Sequence, residues 1–252
     1  MLNSYSSLCD DFYHDIYINT NLELLAQRDT ILAFFERVQK QFPSMGNFYR
    51  REKNDYCLES SRDSGQYRWV AIEKDRIGSG LVNPRRFEDV YSQHKAVLEL
   101  IPYMLAVSWL DIHSLDVTLG MDFDYSGSHD EVIAEALFGS TAFNCLVDLP
   151  GARPVGFSPA AVVALSDDGR TQARISVESR NSIYEPGRKE QPDDEAIGLS
   201  FTIRRYPSGT GKFDAVKSFE NQCSLAEQLM TEKIIPNFVS PLTNVIAQKR
   251  LT

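Results

Sequence analysis

The chain has 252 residues, 42% of them hydrophobic and 24% charged, a globular balance long enough to bury a core without metals or disulfides. Its net charge of −9 argues against broad binding along a phosphate backbone, which needs clustered Lys and Arg. Cys9, Cys57, Cys145 and Cys223 are scattered with no CxxC pair, the first residues lack a basic segment followed by an apolar run, and no stretch approaches 18 apolar residues. The expectation is a soluble, cytoplasmic protein with no metal, no cofactor and no membrane contact.

Residues 11–19 (DFYHDIYIN) have the aromatic and β-branched content of a strand. Residues 22–42 follow with Leu24, Ile31, Phe34, Phe35, Val38 and Phe42 at helical spacing, and Pro43 closes that helix. Residues 47–82 read as two or three strands around the polar turn at 61–66, with strands at 67–72 and 77–82. Gly78 and Gly80 within the latter mark a bulge or a close backbone approach. Asn83-Pro84 reads as the N-cap and first position of a second helix, whose stripe of Phe87, Val90, Tyr91, His94, Val97, Leu98 and Ile101 should end near Pro102.

Residues 114–125 form the clearest strand. Leu115, Val117, Leu119, Met121, Phe123 and Tyr125 alternate with Asp116, Thr118, Gly120, Asp122 and Asp124. One apolar and one polar face favour an antiparallel sheet over a parallel sheet buried on both sides. Ser128 with Glu131 is a capping box opening a short helix to about residue 138. Strands at 160–165, 174–178 and 197–205 follow, the first two joined by an Asp167-Asp168-Gly169 turn. The polar stretch 182–195 reads as a long loop, and 212–235 as a closing helix.

Four groupings are candidates for chemistry. Asp116, Asp122 and Asp124 share the polar face of one strand, where carboxylates two residues apart lie about 7 Å from each other. That spacing suits a cationic ligand or acid–base work, although pairing with Arg174, Arg180 and Arg204 on neighbouring strands would leave only a solvated face. A further alternative has long helices closing over the polar faces to make a lined cavity. His94 lies on an apolar helical stripe, where a general base needs a carboxylate partner that no sequence neighbour supplies. His129-Asp130-Glu131 follows no metal-ligand spacing and is accounted for by helix capping. Gly209-x-Gly211-Lys212 lacks the upstream glycine and the Ser or Thr of a phosphate-binding loop.

The phrase Arg76-Ile77-Gly78-Ser79-Gly80-Leu81-Val82-Asn83, with strands ending in an Asn, an amphipathic helix, a further strand, a second strand block and a long closing helix, resembles a sporadically distributed family of uncharacterised bacterial proteins of about 250 residues. The resemblance implies that layout and no activity, so it assigns no functional residue.

The expected fold is therefore α+β, a largely antiparallel sheet of amphipathic strands with helices packed on one face. It forms either one domain over 1–252 built from two similar halves, 1–127 and 128–252, or two domains split near Gly127. The leading functional expectation is a non-catalytic protein that binds a small molecule or another protein through the polar face or a sheet–helix cleft. Its candidate ligand-binding residues are Asp116, Asp122, Asp124, Arg174, Arg204 and His94. The alternative is a hydrolase using Asp122 and Asp124, with or without a metal.

Overall fold

In the computed structural model, which describes residues 3–24, 27–51, 55–179, 196–208 and 211–251, β1 (Asp11–Thr20) alternates along its whole length. Phe12, His14, Ile16, Ile18 and Thr20 are buried, while Asp11, Tyr13, Asp15, Tyr17 and Asn19 turn the other way. Successive side chains point to opposite faces of a strand, so this one segment sets an apolar and a polar face.

The described residues carry that division across one nine-stranded sheet. After β1 come β2 (Met45–Arg50), β3 (Tyr56–Ser60), β4 (Tyr67–Ile72), β5 (Arg76–Val82), β6 (Ile112–Asp124), β7 (Ala160–Ala164), β8 (Thr171–Ser179) and β9 (Ala196–Arg205). The spatial order is β2-β3-β4-β5-β1-β6-β9-β8-β7, and every neighbouring pair is antiparallel. β1 and β6 form the centre, each flanked by the hairpin strands that follow it in sequence.

Helices cover the apolar face. α1 (Arg28–Gln41) and α2 (Phe87–Met104) pack with Ile16, Ile18, Val70, Ile77 and Val117 in one cluster. α3 (His129–Ile133), α5 (Ala215–Leu229) and α6 (Ser240–Leu251) pack with Phe12, Leu119, Met121, Leu199 and Phe201 in another. The short α4 (Asn144–Val147) buries no side chain. Tyr91 of α2 packs against both clusters. Burying these side chains at about 25 cal/mol per Å² is the main force holding the helices to the sheet.

The α+β class with helices on one face is as the amphipathic strands predict. Among the described residues, no helix lines the polar cleft, because the apolar side chains of α1, α2, α3 and α5 are spent on the opposite side of the sheet. Several local expectations also change. Residues 45–82 hold four strands, since the short pair β2 and β3 forms a separate hairpin at the sheet edge. α1 starts at Arg28, not near residue 22.

Asn83 does not cap α2, which starts at Phe87 after Arg86. Instead Asn83 takes a left-handed backbone (φ 49°), and its side-chain oxygen accepts the Phe12 N–H at 2.8 Å while its amide donates to Gly65 O at 3.0 Å. Pro102 lies inside α2, which runs on to Met104. The chain after Pro236 stays helical. Wide i→i+5 turns over Met230–Val239 absorb the proline's missing N–H and lead into α6. Ser128 does cap α3, accepting from the Glu131 N–H at 3.3 Å. The expected loop at 182–195, together with Arg180 and Gly209, lies outside the described residues.

Candidate ligand-binding cleft

The polar face is organised around the two glycines of β5. Gly78 pairs with Tyr17 and Ala71, and Gly80 with Asp15 and Trp69, so these residues share one face. A Cβ on Gly80 would fall 2.1 Å from Asp15 Oδ1 and 2.3 Å from Trp69 Nε1. A Cβ on Gly78 would fall 2.7 Å from Tyr17 Cε1 and 2.9 Å from Trp69 Cζ3. The indole therefore runs along β5 across both glycines, in the space two side chains would take. On the opposite face, Gln93 Nε2 of α2 lies 3.1 Å from Gly80 O, 3.2 Å from Trp69 O and 3.0 Å from Ser79 Oγ, and so ties β4 and β5 to the helix layer.

Beside this ring lies a cleft of about 830 Å³, the size of a small-molecule site. Strand residues line it. Tyr13 and Asp15 come from β1, Tyr67 and Trp69 from β4, and Thr118, Gly120 and Asp122 from β6. Ser200 and Thr202 of β9 and Arg174, Ser176 and Glu178 of β8 complete the far side. Hydroxyls fill the centre, where Thr118 and Thr202 are hydrogen-bonded across the β6–β9 pair at 2.8 Å.

Asp15 is the most perturbed group in the cleft. Its Oδ1 is shut off from solvent and accepts no hydrogen bond from the described residues. Desolvation pushes its carboxyl up to about 7. Burial likewise raises the phenols of Tyr17 and Tyr67, and the Asp15 charge adds to both shifts. Across the cleft the Tyr13 hydroxyl donates to Asp122 Oδ2.

The residues expected from sequence fall into three places. Asp122 and Arg174 line the cleft. Asp116 and Arg204 sit on the same face but bind each other, Nε to Oδ1 at 2.7 Å and NH2 to Oδ2 at 2.6 Å, with Asn19 donating to Asp116 Oδ2 at 3.2 Å. That pair raises the Arg204 guanidinium above its ordinary value. Asp124 is exposed at the end of β6, where its N–H donates to Asp10 Oδ2 at 2.8 Å.

His94 lies on the opposite face, fully buried between α2 and the sheet. Its Nδ1 is 3.0 Å from Ser79 Oγ and its Nε2 is 3.2 Å from His14 Nδ1. Cys223 Sγ of α5 stands 4.0 Å from His14 Nε2. Burial holds His14 down at about 3 and His94 well below the ordinary imidazole value, so both rings are neutral. His129 is also buried, with Nε2 2.7 Å from Tyr125 O and Nδ1 3.0 Å from Ser179 Oγ. Among the described residues, no three carboxylate, imidazole or thiol groups converge as a metal cradle.

Sequence reasoning passed over Asp15, Tyr13 and Trp69. The signal for the first two was the alternation within DFYHDIYIN, whose odd-numbered members are all polar or amphipathic. The signal for Trp69 was Gly78-x-Gly80 on the strand after it, since glycines two apart on one face leave room for a large neighbour. No protein-family model matches the chain, and no curated protein is significantly similar to it.

Proposed function

We propose that this is a non-catalytic binding protein that takes a small molecule on the polar face of its sheet, between β4 and β8. The observation that carries the reading is the Asp15 carboxyl, which lines a cleft with one oxygen that no described group hydrogen-bonds, beside the Trp69 indole. An unpaired desolvated polar group costs about 1–3 kcal/mol, and such groups concentrate at functional sites. The aromatic walls and central hydroxyls supply the mixture of apolar surface and fixed polar groups that ligand sites use. The reading puts the site at the junction of two similar halves, 1–127 and 128–252, and the protein in a reducing cytoplasm that suits its four unpaired cysteines.

A thermal-shift screen across cationic, neutral and anionic metabolites tests it. At least one class should raise the melting temperature of the wild-type chain but not of Trp69→Ala. A screen in which no class separates the two proteins would sink the reading.

Hydrolysis through Asp122 and Asp124 is the second reading. It is favoured by Asp122 lining the cleft with a phenol donating to it. Divalent cations should then stabilise the wild type and fail to stabilise Asp122→Ala. Equal behaviour of the two proteins would count against the metal-assisted form.

A further inference from the structure

We propose that the ligand of this cleft is an elongated aliphatic polyamine, with one ammonium paired to Asp15 against the Trp69 ring and another held at the end of the cleft formed by Asp122 and Glu178. The proposal rests on the binding reading above and names the chemistry of the ligand.

Charge favours a cation. Among the described residues, the lining carries three carboxylates, Asp15, Asp122 and Glu178, and one guanidinium, that of Arg174. A neutral hydroxyl could satisfy one oxygen of Asp15, but only a cation also compensates a desolvated charge, and charge-assisted hydrogen bonds are about twice as strong as neutral ones. The walls favour a cation too. The aromatic groups lining the cleft are the Trp69 indole beside Asp15 and the Tyr13 and Tyr67 rings. Such faces attract ammonium groups. Tyr67 already makes this kind of contact, with the Arg62 guanidinium 4.7 Å from its ring.

Register sets the length. Asp15 pairs with Thr118, and Asp122 lies four residues further along β6, about 14 Å at strand rise. Asp122 pairs with Gly198 and Gly198 with Glu178, which puts the last two carboxylates two strands apart, about 10 Å. A single ammonium cannot serve both ends, whereas a linear amine with several nitrogens can. The Ser200 hydroxyl, level with Gly120, lies between the ends, where it would accept from an intervening N–H group.

Calorimetric titration of the full chain with spermine at low salt tests this, with putrescine, 1,8-octanediol and maltotriose as comparison ligands. Spermine should bind at least tenfold more tightly than putrescine, which is too short for both ends, and the two neutral ligands should not compete. Asp15→Asn should weaken spermine tenfold or more and Trp69→Ala about fivefold. Trp69→Phe should restore most of the loss, and Glu36→Gln on the exposed surface of α1 should change nothing. Spermine affinity of the wild type should rise from pH 6 to pH 8 with proton release, and that release should vanish in Asp15→Asn. Equal weakening by Glu36→Gln and Asp15→Asn would mean that spermine only screens the net negative charge, and would overturn the proposal. Binding of maltotriose that Trp69→Ala abolishes, without spermine binding, would overturn the polyamine and leave the binding cleft standing. No binding by any ligand, with no hit in the wider screen, would overturn both.

Discussion

Asp15 and Gly80 carry the strongest consequences of any single residues. Because Asp15 titrates at about 7 in the folded chain and near 4 when unfolded, the folded state holds the extra proton between those values. Stability from this group is therefore full below about pH 4 and lost as pH rises through about 7. Asp15→Asn should stabilise the protein at pH 8 by on the order of 2 kcal/mol, measured by urea unfolding, and should do little at pH 4. An unchanged free energy at pH 8 would mean that the carboxyl is already compensated. Gly80→Ala should act in the opposite sense. Its methyl must displace Asp15 Oδ1 and the indole, so a loss of about 1–3 kcal/mol is expected together with loss of the cleft. At this scale the sequence was only partly readable. The acids of β6 stood out because their strand alternates almost perfectly, whereas Asp15 became distinctive only when β4 and β5 were placed beside it. Burial and the lack of a donor are properties of neighbours, and no single strand contains them.

Among the elements, α2 links the two sides of the sheet. Its Gln93 reaches the carbonyls of Trp69 and Gly80, and its His94 contacts Ser79 and His14. Burial holds both imidazoles below their unfolded value near 6.5, so they contribute stability that is present above about pH 6.5 and lost as pH falls below it, for His14 toward about 3. Each should add a slope of about 1.4 kcal/mol per pH unit in that window. The slope should be steeper in an Asp15→Asn background, where the opposing gain from Asp15 protonation is gone. A pH-independent stability between 6.5 and 4.5 in that background would refute the buried-neutral description. Between β6 and β9, Arg204 clamps Asp116, which is nearly buried. Arg204→Ala should cost about 2 kcal/mol by leaving that carboxylate without its cation, and Asp116→Asn in the same background should recover part of the loss. Element positions were largely legible from periodicity, as with β4 and the alternation of β6. The boundaries that moved did so for tertiary reasons. Asn83 serves β1 and a loop rather than its own helix, and wide helical turns carry the chain past Pro236 where proline ordinarily signals an end.

For the molecule as a whole, the arrangement of the sheet explains why a polar face can be a site. Helices supply apolar surface to one side only, and the two central strands bring Asp15 and Asp122 to the middle of the other. The α+β class and the two-faced strands were readable from residue alternation. The order of the strands was not, because register between β1 and β6 joins residues about a hundred positions apart. The Asp15 carboxyl sits uncompensated by any described donor at that centre. Carbon-detected NMR titration of the Asp15 side chain measures it directly in the ligand-free protein. A midpoint near pH 7, shifted downward by a bound cation, is the predicted result. A midpoint near pH 4 would mean that water or a protein donor already satisfies Asp15, and would contradict the account.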